Sequence, residues 1–235
     1  MLRVNLKAGN PGAGRAWLLA SLACAVAAAI ATVSPVSGAL SPVLALAAIG
    51  LLVPYAWQRG TTQDHRLLGA AVALTVSGMA LGWLVPEMGG IVLMAGLFCA
   101  IGLFLRHRRQ SLASTQRALA IALFVMPALI AMLAGADYDL GFFWLALGGA
   151  AGTAWASAFP RYRVGLGAIM IVLSRLLPTL IAQSDVRLSF LGLVSWALLY
   201  AGVFAAVTGV VEVLKQGGPP ARKRPAKGAT IHRIH

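Results

Sequence analysis

The fold is decided by the stretch GGIVLMAGLFCAIGLFLRHRRQ, residues 89–110. Residues 89–105 are apolar or small throughout, and arginines follow at once at positions 106, 108 and 109. A helix needs about 20 apolar residues to cross the hydrocarbon core of a bilayer. Arginines that directly follow such a run mark the cytoplasmic side of the membrane. The stretch therefore predicts a transmembrane helix that ends in the cytoplasm.

Similar apolar stretches fill most of the chain, which is 60% hydrophobic and only 11% charged over its 235 residues. A soluble domain has about 25% charged residues, so the surplus of apolar side chains has to face lipid. The sequence predicts an all-α polytopic membrane protein with eight transmembrane helices in one bundle. We expect the spans at 16–34, 38–57, 67–85, 89–105, 117–135, 140–158, 164–182 and 189–213.

The basic residues alternate with these spans. Of the 19 Lys and Arg residues, 17 fall in the stretches 1–15, 58–66, 106–117, 159–163 and 214–235. These stretches are the two ends of the chain and every second connection between the spans. Because cytoplasmic segments carry the excess of Lys and Arg, both termini are predicted to lie in the cytoplasm. The bacterial-type inner (plasma) membrane is the expected location.

Three segments follow from this topology. They are a cytoplasmic N-terminal stretch (1–15), the transmembrane domain (16–213) and a basic cytoplasmic tail (214–235), which we expect to be disordered. The tail is predicted to bind anionic lipid headgroups. Since topology accounts for the net charge of +13, we expect no nucleic-acid partner. An alternative for the first span is a cleaved signal peptide.

Arg175 is a charged residue near the middle of a span, twelve residues into 164–182, whereas other charges within the spans, such as Arg117 and Glu212, lie at their ends. A charge there costs from ~3 to over 10 kcal/mol, and intramembrane ionisable residues commonly mark functional sites. Its side chain has four options. It could reach the outer interface, bond helix carbonyls, meet an acid such as Glu87, Asp137 or Asp139 through water, or hold an anionic ligand. A lipid phosphate suits the guanidinium fork.

Other candidate groups are hydroxyls within the spans, notably Ser77, Ser174 and Tyr200. A nucleophilic serine needs a base, and no Asp, Glu or His falls in the middle of any span. The sequence therefore gives no support for a hydrolytic triad. Neither the four histidines nor the two cysteines form a metal-binding pattern, and we expect no metal and no cofactor.

Three strings resemble the YhhN-like lysoplasmalogenase family of integral membrane proteins. The first is SGMAL at 77–81, followed by Pro86, and the second is GAIMIVLSR at 167–175. The third is YAGVF at 200–204. The resemblance implies an eight-helix protein that hydrolyses the vinyl-ether bond of lysoplasmalogen, with a lysophospholipid as substrate.

The chain departs from the family pattern at four positions. The family places acids where this chain has Met79 and Arg175, a Gln or His at Val203, and a His at Gly102. Protonating a vinyl ether and activating water require a carboxylic acid and a base. These departures leave hydrolysis open and favour retained lipid binding.

We therefore expect a divergent member of this family. Arg175 would contact the phosphate of the lipid, and Ser174, Ser77 and Tyr200 would line the same cavity. Two alternatives remain at this point: a small lipid or solute transporter, and a non-catalytic membrane scaffold. The sequence leaves the oligomeric state undetermined.

Overall fold

The computed structural model describes residues 11–34, 40–58, 60, 62–135, 141–181 and 190–217. Within these ranges the chain is helical and contains no β-strand, which confirms the predicted all-α class. The helices are α1 (Pro11–Val33), α2 (Leu40–Gly50), α3 (Leu52–Gln58), α4 (Gln63–Leu81), α5 (Pro86–Arg106), α6 (Ser114–Leu133), α7 (Gly141–Ala156), α8 (Leu166–Ile181) and α9 (Phe190–Lys215). A π-helical turn, Arg161–Gly165, leads directly into α8. Residues 218–235, most of the predicted tail, lie outside the described ranges.

Six of these helical segments are long and apolar enough to cross a membrane. They are Gly14–Val33, Leu40–Gln58, Pro86–Arg106, Ser114–Leu133, Arg161–Ile181 and Phe190–Lys215. The other two predicted spans, which correspond to α4 and α7, are not among these six helices, and the reason is different for each. Helix α4 begins with four polar residues and ends at Leu81, four residues before the predicted end. Helix α7 has 16 residues, or about 24 Å, which is shorter than the ~30 Å hydrocarbon core.

Two prolines explain local breaks in the helical hydrogen bonding. A proline lacks the N–H that would bond the carbonyl four residues earlier, and its ring crowds that carbonyl. Pro54 acts on Gly50, where α2 ends before α3 begins. Pro178 leaves the carbonyl of Ser174 free within α8, and the Ser195 hydroxyl of α9 donates to that oxygen at 2.6 Å. Neighbouring side chains commonly satisfy such groups in membranes.

Glycines set the distance between neighbouring helices. At the contact of α8 with α9, a Cβ added to Gly167 would lie 2.6 Å from the carbonyl oxygen of Gly202, and the reverse distance is also 2.6 Å. A Cβ on Gly78 in α4 would lie 2.6 Å from the backbone nitrogen of Leu93 in α5. The backbones therefore touch directly, as the small-residue spacing at Gly78–Gly82 predicts.

One end of the bundle collects the basic residues, and we call it the basic end. Hydrogen bonds join the start of α1 to the end of α3 (Trp17 to Gln58, 3.0 Å) and the start of α4 to the end of α5 (Asp64 with His107, 2.9 Å). Others join the connection after α5 to the end of α7, and the start of α6 to the π-helical turn. An ion pair joins that turn to the end of α9. With α2 and α3 taken together as one segment, Leu40–Gln58, each helical segment thus runs antiparallel to the one before it.

The outer surface of the bundle carries large apolar side chains. Leu133 and Phe142 are 80% and 77% exposed, and other exposed large apolar side chains lie on α1, α2, α5, α6, α8 and α9. A water-soluble protein rarely exposes contiguous apolar surface on this scale. Together with the six apolar helices, this surface indicates a membrane protein.

Candidate functional site

A cavity lies in the middle of the helix bundle and has a volume of about 130 Å³. Its walls come from α2, α4, α5, α7, α8 and α9. Nearly all the lining side chains are apolar, such as Leu68, Phe104 and Leu147. An apolar cavity of ~150 Å³ in another protein stays dry and accepts benzene, so this one has room for an apolar group of that size.

Arg175 is the charged residue of this cavity. It lies six residues before the end of α8 at Ile181, about 9 Å along the helix axis. Its own carbonyl accepts a hydrogen bond from Thr179. The guanidinium has no hydrogen bond and no ion pair with any other described residue. The helix therefore presents a half-buried cation, unpaired within the described part of the chain, to an apolar cavity.

The second polar side chain in the lining is Thr75 of α4. Its hydroxyl donates to the carbonyl of Ala71 at 2.8 Å, which leaves the oxygen lone pairs as acceptors. Among the described lining residues no carboxylate, imidazole or thiol accompanies the arginine. The cavity is therefore equipped to bind an anion and an apolar group, and its described lining residues offer no group of ordinary acid–base strength for proton transfer.

The three hydroxyl residues predicted to line the cavity with Arg175 are absent from its wall. Ser77 is exposed on the outer face of α4. Ser174 is buried, and its hydroxyl donates to the carbonyl of Ile171 at 2.6 Å. Tyr200 is buried in α9, where its hydroxyl lies 2.9 Å from that of Ser21. The structure thus brings Arg175 alone of the four candidates into the cavity.

The four positions that depart from the family pattern also separate in space. Arg175 and Val203 both line the cavity. Met79 packs beside the buried core, and a Cβ added to Gly102 would meet no atom within 4 Å. Only two of these positions therefore face the cavity, and one of them carries the positive charge.

The basic end contains a polar network that sequence reasoning missed. His107 contacts Asp64 at 2.9 Å, and Arg106 forms a longer ion pair with the same carboxylate at 3.5 Å. His65 is 2% exposed, and its Nδ1 lies 2.7 Å from the hydroxyl of Thr62. Burial lowers the pKa of His65, while Asp64 acts in the opposite direction. The sequence shows these residues as loop charges, and only the antiparallel packing brings them together.

The described residues contain no group of three or more His, Cys, Asp or Glu side chains arranged to hold a metal ion. The acids Asp137, Asp139 and Asp185 lie outside the described ranges. No family model, no curated protein and no solved structure matches the chain. The resemblance to the YhhN-like family therefore rests on the three sequence strings alone.

Proposed function

We propose that this chain is an eight-span membrane protein that binds a lipid with an anionic headgroup, of the lysophospholipid class, in its central cavity. Arg175 is the residue that contacts the headgroup. The observation that carries the proposal is the guanidinium of Arg175, which has no partner among the described residues and lies on the wall of a mostly apolar cavity. We also propose that the protein lies in the inner (plasma) membrane with both termini in the cytoplasm.

The antiparallel order of the helices supports the eight-span topology. Every helical segment has one end at the basic end of the bundle. This includes α4 and α7, which are not among the helices long and apolar enough to cross a membrane. Cytoplasmic connections carry the excess of Lys and Arg. The clustering of the arginines at one end of the bundle is the distribution that this rule requires.

The charge of the ligand follows from the energetics of Arg175. An arginine near the centre of a membrane helix costs ~3 kcal/mol or more, and its neighbours here are almost all apolar. An anion that accepts hydrogen bonds from the guanidinium would recover much of this cost. A phosphate matches the planar fork of donors in arginine, whereas lysine has a compact ammonium group without such a fork.

The size of the cavity limits how much of the ligand enters it. At about 130 Å³ it is smaller than a typical ligand pocket of ~300–1,000 Å³. It accepts a headgroup portion or a short segment of an apolar chain. The rest of an acyl chain therefore extends along the apolar outer surface of the helices, within the bilayer.

Hydrolysis of the vinyl ether has weaker support than binding. The reaction needs a carboxylic acid to protonate the enol-ether carbon and a base to orient water. The polar side chains of the described lining are Thr75 and Arg175, and neither has the acid–base character for these steps. We therefore propose a lipid-binding protein on a lysoplasmalogenase-like scaffold.

A lipid-binding assay on the purified full chain tests this proposal. The probe is a lysophospholipid with a fluorescent acyl chain, titrated in mild detergent. Arg175→Met removes the charge at similar volume, and Arg175→Lys keeps the charge without the fork. Losing a charge-assisted hydrogen bond worth ~1.5–3 kcal/mol weakens binding by about 10- to 150-fold in Arg175→Met.

A second pair of variants tests the position of the ligand. Ala100→Phe fills the cavity from α5, whereas Gly102→Phe on the same helix adds the same bulk where the glycine has open space around it. We expect Ala100→Phe to weaken binding and Gly102→Phe to leave it unchanged. Equal binding by all variants and the unmodified chain would refute the cavity as the lipid site.

A further inference from the structure

Two loops at the basic end are fastened to each other by backbone hydrogen bonds. The backbone nitrogen of Ala158 donates to the carbonyl of His107 at 2.7 Å, and that of Arg109 donates to the carbonyl of Ala156 at 3.1 Å. Arg108 and Ser157 form an isolated antiparallel bridge between these bonds. We call residues 107–109 together with 156–161 the loop clasp. The clasp fixes the backbone that carries its arginines.

Two arginines of the loop clasp, Arg109 and Arg161, bond only to neutral acceptors among the described residues. Arg109 donates from Nη2 to the carbonyl of Phe159 at 3.2 Å, and Arg161 donates from Nη2 to the side-chain oxygen of Gln116 at 2.6 Å. The guanidinium of Arg161 also lies over the ring of Trp155, 6.0 Å from its centre. Burial, and then the nearby charge of Arg161, lower the pKa of Arg109. The Arg109 guanidinium is thus held at Phe159, two residues before Arg161, so that two like charges lie close together in the loop clasp.

The carboxylates of the described chain are engaged elsewhere. Asp64 contacts the end of α5, and Glu212 pairs with the π-helical turn through Arg163. Glu87 lies at the start of α5, at the opposite end of the bundle. Among the described residues, therefore, no acid neutralises Arg109 or Arg161. In addition, Nε of Arg161 is buried and has no hydrogen-bond acceptor in the described part of the chain.

We propose that Arg109 and Arg161 of the loop clasp form a phosphate-binding site, separate from the central cavity and independent of its proposed function. A phosphate group offers several acceptor oxygens, which satisfy the free donors of both guanidinium groups and remove the repulsion between them. Arginine is well suited to this role because its planar fork of donors matches phosphate geometry. Two sources share this chemistry: the headgroup of an anionic phospholipid, and free inorganic phosphate.

Two binding experiments on the full chain distinguish these sources. In the first, the protein is placed in nanodiscs of phosphatidylcholine with added phosphatidylglycerol, and native mass spectrometry counts the phosphatidylglycerol molecules that stay bound. In the second, inorganic phosphate is titrated calorimetrically into protein in nanodiscs of phosphatidylcholine alone. Retention of phosphatidylglycerol identifies a lipid headgroup, and saturable heat from phosphate identifies a soluble anion.

Two double variants distinguish binding by Arg109 and Arg161 from binding by the general positive charge of the surface. Arg109→Gln/Arg161→Gln removes the charges of Arg109 and Arg161, whereas the control Arg66→Gln/Arg117→Gln removes two exposed arginines that lie outside the loop clasp at the same end of the bundle. We expect the clasp variant to bind the relevant probe at least about tenfold more weakly. The control should bind within about twofold of the unmodified chain, since exposed charges contribute little.

A conservative variant keeps the test decisive if the double variant is unstable. Arg161→Lys preserves the charge but removes the fork and the buried Nε donor, so binding should weaken while the thermal unfolding temperature stays close to that of the unmodified chain. Equal weakening in the clasp and control variants would overturn the proposal. Failure of the unmodified chain to bind either probe would overturn it as well.

Discussion

Replacing Gly202 by alanine tests whether direct backbone contact holds α8 against α9. The new Cβ would lie 2.6 Å from the carbonyl oxygen of Gly167 and 3.1 Å from the backbone nitrogen of Ile171. A carbon normally approaches a carbonyl oxygen to ~3.3–3.6 Å. The two helices therefore have to separate by up to about 1 Å, because backbone atoms cannot rotate out of the way.

The cost of this separation follows from the behaviour of overfilled cores, where one added methyl group costs ~1–3 kcal/mol. For a chain of this size, each kcal/mol lowers the melting temperature by ~2–4 °C. We expect Gly202→Ala to melt about 2–12 °C below the unmodified protein. The assay is thermal unfolding in detergent, followed by size-exclusion chromatography of the remaining folded protein.

The matched control is Gly192→Ala, which makes the same change on the same helix. A Cβ at Gly192 would meet no atom within 4 Å. Alanine also has a higher helix propensity than glycine, by up to ~1 kcal/mol, so this variant should melt at or above the temperature of the unmodified protein. Equal melting temperatures for the two variants would refute the contact at Gly202.

Three further predictions concern other parts of the fold. His65 has a lowered pKa because it is buried, so below pH ~6.5 this side chain binds fewer protons in the folded chain than in the unfolded chain. The stability of the protein should therefore fall as the pH drops from about 7 to 5. His65→Gln should flatten this pH dependence in thermal unfolding. Ser195→Ala should destabilise by about 1–3 kcal/mol because the carbonyl that Pro178 leaves free loses its donor, and Pro178→Ala should reduce this loss in the double variant. In a chain without its native cysteines, Leu84→Cys should react with a membrane-impermeant maleimide added to intact cells, whereas Ser111→Cys should react only after permeabilisation. The reverse labelling pattern would contradict the proposed orientation.

The helices were largely predictable because their signal is local. Long apolar runs bounded by arginines gave the positions of six membrane-length helices to within a few residues. Composition alone also marked Arg175 as exceptional, and the structure places it in the cavity. Both inferences depend on the chemistry of single segments, which a sequence displays directly.

The site was less predictable because it depends on which helix faces meet. Ser77 and Thr75 are two residues apart on α4, yet Thr75 lines the cavity while Ser77 points outward. Side chains two residues apart on a helix point about 200° away from each other. A small error in the predicted orientation of α4 therefore changes which of the two is expected to face the cavity. The loop clasp depends on backbone bonds between residues about fifty positions apart, and no local pattern indicates it.

The most direct test of lipid binding at Arg175 is a high-resolution structure of the protein purified in native lipid nanodiscs. We expect density for a lipid in the central cavity, with a phosphate oxygen ~2.7–2.9 Å from the guanidinium of Arg175. Helix carbonyls or a protein carboxylate bonded to that guanidinium, beside a cavity without lipid, would contradict it.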